Sequence, residues 1–374
     1  MPESSRVKDI STSMIRRMFE VVAEARKRGI DIISLSIGEP DFDTDERIIE
    51  FACEAKRRGF THYTSNMGID ELREAIAERY GVEKDEVMIT AGGSEALMNA
   101  SLAFIERGSN VVIPSPNFLS YFVYAKICEA SAIQIKTHPN FRLDIDKLNE
   151  VVDRKTSVIF LNYPSNPTGV VEDEKTLRAA VEIAQDANAV VVSDEIYDQI
   201  YYDRKPVNLA GMENVIAVNG FSKSLAMTGW RVGFTIADRE MLDSMLKVHQ
   251  VNGVCAPAFA QKAIAEAFNT GVFDDVTEKM RKAFRERRDY IYPAFRDLGF
   301  EVVKPEGAFY IFPKIPLDMD CVEFTEKLVM NGVAVTPGVA FGEGNERYIR
   351  VSYAASMESL KEAVRRIGEF LAGN

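Results

Sequence analysis

The stretch NGFSKSLAMTGWRVG (219–233) holds a single lysine, Lys223, between two serines, with Arg231 eight residues on. Small residues around a long cationic side chain leave room for another group beside its amine, and an unprotonated amine attacks carbonyl carbons. Other short stretches carry complementary groups. AGGSEAL (91–97) places Gly93 and Ser94 in a glycine turn, a place where backbone N–H groups approach an anion. YPSNPTG (163–169) holds Asn166 in a loop stiffened by two prolines. DEIYD (194–198) offers the Asp194 carboxylate and, three residues on, the Tyr197 hydroxyl. RYIRVSYA (347–354) carries Arg350, a planar guanidinium able to grip a carboxylate at two points. Each group also has an ordinary reading. Ser94 or Asp194 can cap a helix, 163–169 can be a plain loop, Lys223 can be solvated, and Arg350 can be exposed or paired on a strand.

The elements that must position these groups are visible as apolar runs. EVMIT (86–90), NVVIP (110–114), AIQIK (132–136), SVIFLN (157–162), AVVVSD (189–194), VIAVNG (215–220) and VGFTIA (232–237) read as strands. Several are nearly continuous in Val and Ile, as expected for strands covered on both faces. Helical stretches such as 94–108 and 174–188 lie between them, so the alternation predicts an α/β fold with a mostly parallel seven-stranded sheet. Ligands of such sheets sit at the carboxyl ends of the strands, where the groups above fall. Beyond about residue 275 the pattern changes to a long charged amphipathic helix (277–300), then short strands in 307–313, 332–337 and 347–354, and a last helix over 357–371. The division expected is a large domain over 40–275 and a smaller α+β domain of 1–39 with 276–374, its N-terminal segment bordering the site.

Taken together, a phosphate cup, a carboxylate, an asparagine, a tyrosine, a lysine and an arginine in successive strand-end turns suit pyridoxal 5′-phosphate. Its aldehyde needs a lysine, its phosphate a glycine turn and an arginine, and its ring nitrogen a carboxylate that keeps it protonated. An amino-acid substrate adds an α-carboxylate for a guanidinium.

Composition narrows the alternatives. The 374 residues carry a net charge of −12 with no basic run, a poor match to nucleic acid or anionic membrane. Four scattered cysteines without a CxxC and three isolated histidines favour neither disulfides nor a metal site. MPESSRVKDI lacks the apolar stretch of a signal peptide, and no run reaches membrane-span length, so a soluble cytoplasmic protein is expected.

The chain resembles the class I/II aminotransferases of the fold-type I pyridoxal-phosphate enzymes, in their aspartate aminotransferase-like subgroup. The likeness runs nearly end to end, through SLSIGEPDFDT, THYTSNMGIDELREAIA, SPNFLSY, NYPSNPTGVV, VVSDEIYD, NGFSKSLAMTGWRVG, KPEGAFYIFP, VTPGVAFG and YIRVSYA. The resemblance implies that Lys223 forms the Schiff base and shuttles the substrate proton. It implies that Asp194 pairs with the ring nitrogen, and that Asn166 and Tyr197 reach the phenolic oxygen. Gly93, Ser94, Ser222 and Arg231 would hold the phosphate, and Phe118 would lie on the ring. Tyr63 would cross to the phosphate of the neighbouring subunit, which implies a homodimer. Arg350, with Asn166 and the Gly38 backbone, would bind the α-carboxylate, and the smaller domain would close over the substrate.

Two departures concern the phosphate and the substrate. Gly220 stands where many relatives have a serine, leaving Ser222 to compensate. The turn Gly92-Gly93-Ser94 lacks the lysine that some aspartate-directed members use for a second carboxylate. Arg16 is a conceivable substitute, or else a solvated helix charge beside Arg17. The expected reaction is transamination between an L-amino acid and a 2-oxo acid such as 2-oxoglutarate, with aspartate the leading donor. An aromatic or broad-specificity enzyme is the alternative, a pyridoxal-phosphate C–S lyase a more distant one, and a non-catalytic regulator the last, since no helix-turn-helix precedes SLSIGEPDF.

Overall fold

The computed structural model describes residues 3–8, 10 and 14–373. A two-residue strand, β1 (Ile33–Ser34), precedes the main sheet. The sheet is built from β2 (Val87–Thr90), β3 (Asn110–Ser115), β4 (Ser131–Lys136), β5 (Thr156–Asn162), β6 (Val190–Asp194), β7 (Val215–Gly220) and β8 (Gly233–Ile236). Its order is β2-β8-β7-β6-β5-β3-β4. The central strands are buried on both faces because helices cover both. Val158 and Phe160 of β5 pack with the helix Gly93–Phe104, while Ile159 and Leu161 pack with the helix Glu174–Ala187. The alternation is the period of two that a pleated strand imposes.

All pairings are parallel except those of β8, which runs antiparallel to β2 and β7. The cause is the short return after β7, which holds the four-residue helix Phe221–Ser224 and a turn but no crossover helix to carry the chain back. Thr90, Gly220 and Gly233 therefore meet at one edge, and Arg231 enters β8 beside the carboxyl ends of β5, β6 and β7.

Local signals set the helix ends. Asp173 caps Glu174–Ala187 by accepting the Thr176 N–H, and Asn188 ends it in the left-handed region. The helix expected over 94–108 stops at Phe104, because Ile105 turns to extended backbone. The later part of the chain contains the helix Val272–Asp297, with Pro293 inside it, and the helix Met357–Ala372. Strands β9 (Tyr310–Ile311), β11 (Thr336–Pro337) and β12 (Ile349–Ser352) form an antiparallel sheet in the order β11-β12-β9, and β10 (Val333–Ala334) pairs with β1 in parallel. The helix Met14–Lys27 packs Met18, Val22 and Ala25 against Val329 and Ala334. One core runs from Leu35 and Ile48 through Phe234 and Ile264 to Val351 and Phe370, joining the early and late parts of the chain. No helix among the described residues is long and apolar enough to cross a membrane.

Candidate active site

A cavity of about 300 Å³ opens at the carboxyl ends of β5, β6 and β7. Lys223, on the short helix after β7, is half-buried there and donates to the Gly38 carbonyl at 2.6 Å. Burial brings its pKa down to about 8, with Arg350 and Arg231 adding to the shift and Glu39 and Asp194 opposing it.

Asp194 ends β6 and is buried. It caps no helix. Its Oδ1 accepts the Ile196 N–H at 3.2 Å, closing a turn, and its Oδ2 accepts the Tyr121 hydroxyl at 2.7 Å. No ion pair to Asp194 forms among the described residues, and burial raises its pKa to about 6 against the pull of those bonds. Tyr121 is held by stacking on Phe160, with ring centroids 4.6 Å apart. Asn162, at the end of β5, ties the neighbouring strand ends together. Its Nδ2 donates to the Asp194 carbonyl at 2.9 Å, and its Oδ1 accepts the Asn166 N–H at 2.8 Å.

Asn166 in turn accepts from Arg350 Nη1 at 3.0 Å. Arg350 is buried, which lowers its pKa, and its guanidinium lies over the rings of Tyr310 and Phe341 at 4.6 and 4.9 Å. Nη2 donates to the Ser36 carbonyl at 2.5 Å, while Nε is buried without a hydrogen-bond partner among the described residues. Both faces of β12 are thus buried. Ile349, Val351 and Tyr353 enter the core, and Arg350 lines the cavity. Tyr197 also lines it, its hydroxyl 2.8 Å from that of Tyr310. The Tyr310 hydroxyl fills the space that a side chain at Gly38 would need.

Another side of the cavity is formed by the turn before the helix Gly93–Phe104. Gly92, at φ 87, is its N-cap, so Ser94 is not. The Gly93 and Ser94 amides belong to the first turn, where N–H groups have no partner within the helix. A Cβ at Gly92 would run into the Arg231 guanidinium. Arg231, at φ 55, donates to the Thr228 carbonyl at 2.7 Å and to the Ala91 carbonyl at 3.5 Å. Ser222 and Phe118 also line the cavity, Phe118 packing edge-on against Tyr121.

The cavity thus collects every predicted site residue but one. Tyr63 is 86% exposed and lies away from it, in a surface hollow with Phe60, His62, Cys255 and Phe259. Arg16 lies on the helix Met14–Lys27, and its side chain is outside the described residues. Tyr121, Asn162, Ser36 and Tyr310 are absent from the sequence-based set of site residues. Tyr121 sits in SPNFLSY and Tyr310 in GAFYIFP, but nothing local to either marks its partner.

A family model for aminotransferases of class I and II matches residues 30–367. The chain belongs to this family. This aminotransferase is 42% identical to a probable aspartate aminotransferase of Methanocaldococcus jannaschii, over 98% of the chain and 99% of the relative. It is 38% identical to aromatic-amino-acid aminotransferase 2 of Thermococcus litoralis, over 99% of the chain and 98% of the relative. The solved aspartate aminotransferase of Thermus thermophilus with maleate matches it at a TM-score of 0.94 and 33% identity, over 99% of this chain and 100% of that one. The aminotransferase therefore has the fold-type I architecture.

Proposed function

We propose that this aminotransferase uses pyridoxal 5′-phosphate to move the amino group of an L-amino acid, aspartate the leading donor, to a 2-oxo acid such as 2-oxoglutarate. The observation that carries the reading is the convergence of Lys223, Asp194 and Arg350 on one cavity. The residues fit the cofactor. Among the described residues, Asp194 is a buried carboxylate without an ion-pair partner and Arg350 keeps an unpartnered buried Nε, and the Gly92 turn leaves no room for a side chain beside Arg231. When bound, the cofactor supplies an electrophilic aldehyde and a ring that accepts electrons from the substrate Cα.

The chain's own groups do the rest. Lys223 would hold the cofactor through its aldehyde, and its free amine would be the base that takes the proton from the substrate Cα. Its lowered pKa keeps a useful fraction of the amine neutral near pH 8. Asp194 holds the proton on the ring nitrogen, with Tyr121 keeping the carboxylate in place. Asn166 and Tyr197 would hold the phenolic oxygen, and Phe118 would bound the ring's site, all three lining the cavity. Gly93, Ser94, Ser222 and Arg231 hold the phosphate, joined by Tyr63 from the second subunit of a homodimer. Arg350, backed by Asn166, grips the α-carboxylate near the Gly38 backbone. The unit of residues 1–39 and 276–374 closes over the substrate and excludes water.

Aspartate is favoured by the names of the relatives in Methanocaldococcus and Thermus. The aromatic reading stays alongside it because the Thermococcus relative carries an aromatic name at a similar identity. Steady-state kcat/KM with aspartate, glutamate, tyrosine and phenylalanine, each with 2-oxoglutarate, tests the choice. A value for tyrosine well above that for aspartate overturns the donor assignment.

A further inference from the structure

A buried pair lies behind the 91–94 turn. Glu95 is in the first turn of the helix Gly93–Phe104, and His249 is near the end of the helix Arg239–Asn252. Both are buried, and His249 Nδ1 lies 2.6 Å from Glu95 Oε1. The other carboxylate oxygen accepts the Ala91 N–H. Asn99 Nδ2 adds a bond to Oε1 at 3.3 Å, and a Cβ at Gly253 would land on the carboxylate, so the backbone seals it on that side. Burial opposes the charge on Glu95, but the bonds from His249, Ala91 and Asn99 outweigh it and hold the carboxyl below its ordinary pKa. Glu95 is thus an ionised acceptor and His249 Nδ1 the donor, while His249 Nε2 is buried without a hydrogen-bond partner among the described residues.

A carboxylate next to an anion-binding turn repels the anion through space, so its presence there calls for a geometric reason. Ala91 supplies one. Its N–H is held by Glu95 and its carbonyl by Arg231, so the peptides flanking Ala91 are fixed from two directions. Gly92 then packs on Arg231, and the first-turn residues Gly93 and Ser94 line the cavity. We propose that Glu95 and His249 are positioning residues that set the 91–94 turn and Arg231 for the phosphate of the cofactor, an inference that rests on the pyridoxal-phosphate reading.

The test uses the full chain stripped of cofactor, with inorganic phosphate and pyridoxal as separate calorimetric probes. Losing a buried hydrogen bond to a charged group predicts that Glu95→Ala and His249→Ala weaken phosphate binding at least about tenfold. Pyridoxal, which lacks the phosphate, should bind within about twofold of wild type, since the lost contact is confined to the turn. Glu95→Gln and His249→Asn, which keep the shape and a hydrogen-bonding atom, should recover most of the phosphate affinity. Equal losses for both probes, or none for phosphate, overturn the proposal. If the alanine variants do not fold, Glu95→Asp decides. It keeps the charge but cannot span Ala91 and His249, so phosphate should weaken at least about fivefold with pyridoxal unchanged, and an unchanged phosphate affinity refutes the role. Wild-type chain that binds phosphate but not pyridoxal overturns the cofactor reading and leaves the role of the pair in phosphate binding standing.

Discussion

Lys223 and Asp194 are both charged groups whose burial opposes the charge, and each has a measurable consequence. In the proposed reaction the neutral Lys223 amine is the nucleophile, so addition of pyridoxal to the stripped protein should speed up as pH rises and level off above about 8. A midpoint near the ordinary lysine value would contradict the desolvated amine. Lys223→Ala should abolish the visible absorption of covalently bound cofactor and lower kcat by at least about a thousandfold. The folded pKa of Asp194, about 6, lies above the ordinary value of 3.8, so the ionised form costs stability. That cost is full above pH 6 and is relieved as the pH falls from about 6 toward 4. Asp194→Asn should therefore stabilise the stripped protein by about 1–2 kcal/mol at pH 8, by urea titration, while transamination collapses. Loss of stability in that variant would show that the Tyr121 and Ile196 bonds outweigh the burial. The sequence identified Asp194 from its place after AVVVS, but not Tyr121, which lies on another element 73 residues away and is recognised only by its hydroxyl on Oδ2.

Elements place these groups through strand ends and turns. β5 and β6 were legible because runs of Val and Ile bounded by Asn and Asp are an unambiguous local signal for a strand covered on both faces. The antiparallel course of β8 was not, because it follows from the missing crossover helix rather than from VGFTIA itself. Helix caps at Ser94 and Asp194 were misleading alternatives. A serine or aspartate at a strand end looks the same whether it caps a helix or closes a turn, and only the dihedrals of Gly92 and the Ile196 contact distinguish them. The Gly92 turn is open to a controlled test. Gly92→Ala forces a side chain into a conformation (φ 87, ψ 165) that essentially only glycine adopts and into Arg231, whereas Gly81→Ala meets only left-handed strain at φ 69 and ψ 37 with open space around it. Gly81→Ala should lose about 1–2 kcal/mol of stability from left-handed strain, and Gly92→Ala should lose more. Only Gly92→Ala should also weaken inorganic phosphate binding, and equal phosphate affinity in the two variants would remove the turn from the anion site.

At the scale of the molecule, the exposed Tyr63 is the group that the proposed homodimer explains. If it completes the site of a second copy, Tyr63→Ala and Lys223→Ala chains should complement each other. A mixed dimer has one site with Lys223 from one chain and Tyr63 from the other, so mixing and reassociating the two variants should restore activity that neither has alone. Activity no higher than the mean of the parents would place Tyr63 outside catalysis. By itself the sequence determined the strands, the reactive residue types at their ends and the family they belong to, because strand patterning and turn chemistry are local. Only the tertiary structure decided how those groups face. DEIYD offers two neighbouring acids, and strand direction turns Asp194 into the cavity while Glu195 binds Ser193 and the Leu209 amide on the other side. Arg350 reaches Asn166 across 184 residues, and His249 reaches Glu95 across 154. These meetings depend on strand order and side-chain direction, which no local periodicity encodes.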